Sequence, residues 1–318
     1  MKNSYQKLIR ELGPLRVRKN EPMSAHTTFK VGGPADLFFE AYSIEELIKV
    51  VKLCQKLKTP YFILGKGSNI LVSDKGLSGL VIKNKSSQIK ILRYKGQIEE
   101  GSPQEATVLI EADSGVGLNR LVRYTIEEGL SGLEVFLSIP GTVGGAVRIN
   151  AHFRPERDEF IGNFVYKAKI LDQKGNVKEV TQDYFQFGYD KSILQKTGEI
   201  LLSVEFILNK VFDKKFLWKK AQEAVEYRKL RQPMGLACAG CVFKNPQKFR
   251  GAGFLIDQAG LKGIQIGGAK ISEKHANFIV NVDGATARDV VELIKLCKRR
   301  VKDIFGINLK EEIEYIGF

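Results

Sequence analysis

Tyr61-Phe62-Ile63-Leu64-Gly65-Lys66-Gly67-Ser68-Asn69-Ile70-Leu71-Val72 sets an apolar run, a glycine turn and a second apolar run in direct succession. Short apolar runs bounded by glycine read as strands, and the glycines let the chain reverse sharply between them. Just upstream, Ser43-Ile44-Glu45-Glu46 has capping-box spacing, and Leu47, Ile48, Val51, Cys54 and Leu57 follow at helical intervals. Helix, strand, glycine turn and strand make a small α/β unit, with Cys54 in its core.

Further along, Val108-Leu109-Ile110 leads into a helix expected over 118–128, with Gly129 as its C-terminal cap. A second glycine segment follows as Ile139-Pro140-Gly141-Thr142-Val143-Gly144-Gly145-Ala146-Val147 and reads as another loop. Residues 164–208 read as β-rich, with a turn at Lys174-Gly175-Asn176. A Lys- and Glu-rich helix over 214–230 places a domain boundary near 211–220. Beyond it come short strands at 264–266 and 277–282. Thr286 and Asp289 then cap a helix that is expected to bury Val290, Leu293, Ile294, Cys297, Val301 and Ile304.

A glycine after a strand lets a ligand approach main-chain N–H groups, which together form an anion-binding nest. Two such segments can hold the two ends of one dinucleotide diphosphate, with Ser68 and Asn69 adding side-chain donors; each can equally be only a tight turn. Neither has the Gly-x-Gly-x-x-Gly spacing of a Rossmann turn or the Gly-Lys-Ser/Thr ending of a P-loop, which disfavours a Rossmann dehydrogenase and a nucleotide kinase.

Composition bounds the rest. The chain has 318 residues, 43% apolar and 27% charged, which suits a globular protein of two or three domains. No apolar stretch approaches a membrane span, and MKNSYQKLIRELG lacks the apolar centre of a secretory signal, so a cytoplasmic protein is expected, without a membrane partner. Four cysteines, at 54, 238, 241 and 297, are too few for a disulfide scaffold. Cys238 and Cys241 form a Cys-x-x-Cys pair open to a zinc or redox reading, but zinc needs further ligands and only His26, His152 and His275 remain; no metal is expected. The formal charge of +14 favours anionic partners, and a solvated lysine-rich surface explains it as well. No basic segment is interleaved with aromatics, so a nucleic-acid partner is not expected.

Taken together, Thr27-Thr28-Phe29-Lys30-Val31-Gly32-Gly33-Pro34-Ala35-Asp36, Leu64 to Asn69, Ile139 to Ala146 and Ala239-Gly240-Cys241-Val242-Phe243-Lys244-Asn245-Pro246 resemble the UDP-N-acetylenolpyruvoylglucosamine reductase family. Ala252 to Asp257 and Gly267 to Ser272 extend the resemblance in order along nearly the whole chain. It implies an α+β protein with a vanillyl-alcohol-oxidase/PCMH-type FAD-binding domain in two parts, followed by an α+β substrate domain. The divisions expected are an N-terminal segment 1–25, the FAD domain 26–212 with parts 26–84 and 85–212, and the substrate domain 213–318. The resemblance also implies bound FAD, NADPH as co-substrate, and hydride transfer from flavin to the enolpyruvyl double bond of a UDP-sugar by a monomer. The cofactor carries the hydride in such chemistry, and protein groups supply the proton.

Carried over by position, the resemblance gives Gly65, Lys66, Gly67, Ser68, Asn69, Ile70, Gly141, Thr142, Gly144, Gly145, Ala146 and Arg228 to the cofactor. Cys241 stands where the family usually has a proton-donating serine, and a thiol is the better acid. Glu312 matches the catalytic glutamate. Tyr189, Lys191, Arg231, Asn245 and His275 fall to the substrate, with a satisfied core histidine as the alternative at His275 and a solvated helix end at Arg228 and Arg231. Three departures stand out. Asp190 occupies an arginine slot and offers no fork of donors to a carboxylate, which leaves Lys191 as a possible substitute. Glu314 sits at an often basic position. His152-Phe153-Arg154-Pro155-Glu156-Arg157 replaces the family's Gly-Ala-Tyr-Gly-Gly-Glu. Another FAD oxidoreductase of altered substrate, and a non-catalytic nucleotide or nucleic-acid binder, are the alternatives.

Overall fold

Ser43 begins the helix Ile44–Lys56: its Oγ accepts from Glu46 N–H at 3.1 Å, satisfying one of the helix's orphan donors. The box is not closed in return, because Glu46 gives its carboxylate to Tyr42 N–H and Arg16. A computed structural model of the chain describes residues 2–95, 106–153, 159–246 and 250–318. Residues 154–157 of the segment replacing the family's glycine-rich stretch lie outside the described residues.

The helix lays Leu47, Val50, Val51 and Cys54 on a four-stranded sheet ordered Arg18–Pro22, Pro34–Ala41, Leu77–Asn84, Tyr61–Leu64. Its first pairing is antiparallel and the other two are parallel. Side-chain alternation along Pro34–Ala41 splits the core: Leu37 and Phe39 face the helix, and Phe38 joins Met23, Leu64 and Val81 on the other side. Full burial of each such side chain stabilises the fold by about 1.5–3 kcal/mol relative to exposure.

The second sheet is antiparallel throughout, in the order Val177–Thr181, Val165–Leu171, Ile200–Lys210, Thr107–Asp113, Ile89–Lys95, with Leu130–Ser131 on the end of Ile200–Lys210. Helix Leu118–Glu127 packs against it through Leu118, Leu121, Val122 and Ile126, and Gly129 follows in the left-handed conformation at φ 65. The second glycine segment is only partly a loop. Thr142 caps a helix over Val143–Ile149, so Gly144, Gly145 and Ala146 are helical. Thr142 is the signal for this, since its hydroxyl accepts from Gly145 N–H at 3.3 Å.

Helix Lys214–Arg231 leads to a third, antiparallel sheet ordered Ala237–Cys241, Phe278–Asn281, Ala269–Ile271, Gln265–Ile266. Helix Ala287–Phe305 starts with a complete capping box at Thr286 and Asp289 and buries Val290, Leu293, Ile294, Cys297 and Val301 against that sheet. Ile304 departs from the expected stripe and is 52% exposed, on the helix's outer side near its end. Two features weld this part to the first. Leu71 is buried in the third core, and Glu314–Ile316 returns to pair in parallel with Ile70–Val72.

Candidate active site

Gly65 through Ile70, Gly141, Thr142 and Gly144 through Ala146 line one cleft of about 350 Å³. The two glycine segments touch. Ser68 Oγ donates to Pro140 O at 2.8 Å, and a Cβ on Gly65 would come within 2.6 Å of Thr142 Oγ1. Gly67 is left-handed at φ 66, and a Cβ there would meet His26 O at 2.7 Å.

The segments offer different things to a ligand. Among the described residues no acceptor takes the N–H of Lys66, Gly67 or Ser68, so the first turn can donate from its main chain. In the second, the N–H groups of Val143, Gly144 and Gly145 already serve Val116 O, Ser114 O and Thr142 Oγ1. The second segment therefore keeps fewer main-chain donors, the N–H groups of Gly141 and Thr142, beside a surface with little side chain. Asn69 and Ser68 likewise spend their side chains within the protein. A donor-bearing turn facing a smooth wall fits a dinucleotide diphosphate such as FAD.

One end of the cleft is closed by the return of the C-terminal strand. Asn69 Nδ2 donates to Glu312 O at 3.3 Å, and Glu314 N–H donates to Asn69 O at 3.0 Å. Glu312 N–H donates in turn to Val242 O at 2.8 Å, next to Cys241. Three stretches far apart in sequence are thus joined through main-chain groups at Glu312. Tyr189 and Asp190 approach the same point on a loop tied to the second glycine helix: Asn150 Nδ2 donates to Gly188 O and Ser192 Oγ to Arg148 O.

The electrostatics are consistent across this cluster. Burial, then Asp190, pushes the Glu312 carboxyl well above the usual carboxylate range, while Lys244 pulls it back. Burial, Glu312 and Asp190 push the Cys241 thiol well up, against a hydrogen bond from Asn277. Burial, Asp190 and Glu312 push the Tyr189 hydroxyl up to about 12. Cys241 and Tyr189 keep their protons at neutral pH, and the Glu312 carboxyl is biased toward its neutral form. The thiol is consequently a weaker acid than a free cysteine but a fully loaded one.

Residues 35–181 match a family described as FAD binding domain, and residues 232–316 match one described as the C-terminal domain of UDP-N-acetylenolpyruvoylglucosamine reductase. The reductase of Anoxybacillus flavithermus is 40% identical over 301 residues, covering 95% of this chain and 94% of the relative. That of Alkaliphilus oremlandii is 39% identical over 99% of this chain and 98% of its own. The chain belongs to the UDP-N-acetylenolpyruvoylglucosamine reductase family. The crystal structure of the Thermus caldophilus reductase superposes with a TM-score of 0.74 at 33% identity, over 95% of this chain and 99% of that one. The α+β fold with an FAD domain and a C-terminal domain stands on these matches, as does a flavin-dependent oxidoreductase.

Within the reductase family pattern, two departures of this chain meet in space. Asp190, in the arginine slot, places Oδ1 3.3 Å from Nδ1 of His152, the first residue of the divergent segment. Glu314, at the often basic position, pairs with Arg148 across the cleft. Asn245 accompanies Tyr189, donating to its hydroxyl at 3.2 Å while accepting from Ala252 N–H.

Other positions carried over from the reductases lie further out. Lys191 is exposed. Arg231 is exposed too and stacks on Tyr227 at 4.0 Å. His275 packs edge-on against Phe278 and accepts from Asn277 N–H, the geometry of a satisfied packing histidine; burial lowers its pKa. Arg228 lies outside the cleft lining: it is buried, donates to Leu137 O and Ser138 Oγ, and braces the start of the second glycine segment. Burial brings it down to about 10, so it remains cationic at neutral pH.

Cys238 pairs with Val280 and Cys241 with Phe278, so a bulge at Gly240, φ 80, turns both cysteines to one face of the strand. All four cysteines are free thiols, and among the described residues no metal-binding group of His, Cys, Asp or Glu occurs. Sequence reading missed Lys244, which donates to Asp190 O at 3.2 Å, and Asn277, which holds Phe243 at both main-chain groups. Asn277 carried a signal, being a polar residue at the start of an apolar strand. Lys244 was visible in the quoted motif but had nothing to mark its direction.

Proposed function

We infer that this chain uses NADPH and bound FAD to reduce UDP-N-acetyl-3-O-(1-carboxyvinyl)glucosamine to UDP-N-acetylmuramate, a peptidoglycan precursor. The observation that carries this reading is one glycine-lined cleft bordered by Glu314 of the returning strand, where the main chain of Glu312 joins Asn69 of the first turn to Val242 beside Cys241. Gly65 to Ile70 and Gly141 to Ala146 are the residues that would hold FAD, with Arg228 acting from behind the second segment. FAD supplies the hydride chemistry when bound.

The chain's own residues supply the rest. Cys241 Sγ holds the proton destined for substrate carbon, and Glu312, whose burial favours the neutral carboxyl, hydrogen-bonds the developing enolate oxygen. Tyr189 and Asn245 orient the sugar nucleotide as one hydrogen-bonded pair; Lys191 and Arg231 act at the margin of the site, and His275 packs behind it. The domain division is 26–212 for FAD, in parts 26–84 and 85–212, and 213–318 for substrate. Segment 1–25 contributes an edge strand to the first sheet. The protein works in the cytoplasm as a monomer, without nucleic acid or membrane; among the described residues no helix is long and apolar enough to cross a bilayer.

The test is NADPH oxidation followed at its own absorbance, with and without the carboxyvinyl UDP-sugar, on protein whose flavin spectrum has been recorded. Strict dependence on the UDP-sugar is expected. A second reading, an FAD oxidoreductase of different substrate, is favoured by Asp190; it predicts turnover of simple hydroxy acids or alcohols and none of the UDP-sugar.

A further inference from the structure

The carboxyvinyl group brings a carboxylate to a site that already holds Glu312 and Asp190, where the family pattern has an arginine to receive it. Asp190 cannot. Its backbone is left-handed at φ 49, Oδ1 faces His152, and Oδ2 is buried with no hydrogen-bond partner. Lys191, the neighbour on the same loop, is exposed.

Lys244 reaches the main chain of the same loop. Its Nζ is 3.2 Å from Asp190 O, so its ammonium reaches the residue that occupies the arginine slot, and its charge acts on Glu312. The approach is fixed from behind. Lys244 N–H donates to Lys310 O at 2.9 Å, and Phe243, in a bridge with Glu311, is clamped by Asn277 through bonds of 2.9 and 2.8 Å. Charged and titratable groups reach this point from every side: Asp190 and Tyr189 on one loop, His152 behind them, Cys241 on its strand and Glu312 on the returning segment.

We propose that Lys244 is the carboxylate anchor of this enzyme, taking over from the segment that follows strand Ala237–Cys241 the task that an arginine at position 190 would perform. The exchange has a geometric cost. An ammonium is a point charge that engages one oxygen at a time, whereas a guanidinium fork holds both. Lys244 therefore fixes the position of the carboxylate and leaves its rotation to Glu312 and Tyr189.

This proposal rests on the UDP-sugar reductase reading, and one set of assays separates the two. In Lys244→Met the KM for the carboxyvinyl UDP-sugar should rise about 30-fold or more, the loss typical when one partner of a desolvated charge pair is removed. The flavin spectrum and the NADPH half-reaction should stay as in the unmodified protein. Binding of UDP-N-acetylglucosamine, which lacks the carboxylate, should also be unchanged, a result that general damage to the pocket would not give. Lys244→Arg should retain most activity, and Asp190→Arg added to Lys244→Met should restore much of it. Lys244→Gln replaces Lys244→Met if the latter loses flavin. A KM within twofold of the original, or an equal loss of affinity for both nucleotides, overturns the anchor. No turnover of the UDP-sugar by the unmodified protein overturns the function itself, and the anchor with it.

Discussion

The first glycine turn meets the cleft with main chain, whereas Cys241, Glu312, Asp190 and Lys244, drawn from distant stretches, form a cluster of interacting side chains beside the returning strand that borders it. In the turn, what matters is the absence of atoms: a Cβ at Gly65 has Thr142 in its way, whatever side chain follows. At the cluster, what matters is the sum of charges. On the reading proposed above, a position there can change sign provided a neighbour compensates, as Lys244 does for Asp190. The site thus sets a turn limited by steric room at Gly65 and Gly67 beside a cluster governed by charge.

The strongest way to break this contrast is Glu312→Gln. Loss of a positioned acid should lower kcat by about 10²–10⁴-fold while NADPH still bleaches the flavin at its original rate; slowed bleaching would place Glu312 in the cofactor site instead. Cys241→Ala should cost about 10²-fold in the same assay, and Cys241→Ser much less; equal turnover by Cys241→Ala would remove the thiol from its role. Gly65→Val sharpens the other side. Its flavin affinity should fall about tenfold, roughly 1.4 kcal/mol, by equilibrium titration, and unchanged affinity would refute the close approach to Thr142.

Smaller effects belong to stability. The Glu312 carboxyl is raised in the folded state, so the folded protein binds the extra proton: its contribution is fully present below the ordinary carboxyl pKa and is lost as pH rises through the raised value. Glu312→Gln should therefore gain thermal stability relative to the unmodified protein at pH 8 compared with pH 5, and a difference independent of pH would deny the shift. Least of all, Thr286→Ala should cost about 1 kcal/mol by urea denaturation through loss of the cap on Ala287–Phe305. Asp74 also accepts from Ala287 and Arg288 N–H at that end, and an effect near zero would mean that Asp74 alone suffices.

Local rules were enough for elements whose causes are local. Ser43, Thr286 and Gly129 mark helix ends through bonds and backbone angles within a few residues, and the structure has them there. The second glycine segment misled because glycine signals a turn, while Thr142 and the packing of Val143 and Val147 outweigh that and wind it into helix. Ile304 misled because helical spacing does not tell where a helix runs past its sheet. At the site, Cys241 and Glu312 were legible by resemblance. The direction of Lys244 was not, since it depends on a bridge between Phe243 and Glu311 that no local pattern encodes.

The bond from Asn69 to Glu312 spans 243 positions of sequence. A ribosome adding about 5–20 residues per second makes Asn69 some 12–50 s before Glu312 exists. Throughout that interval the first turn lacks the strand Glu314–Ile316 that pairs beside it. The link between the first turn and the returning strand is therefore a late event in synthesis, made between segments that never share a ribosome's exit path.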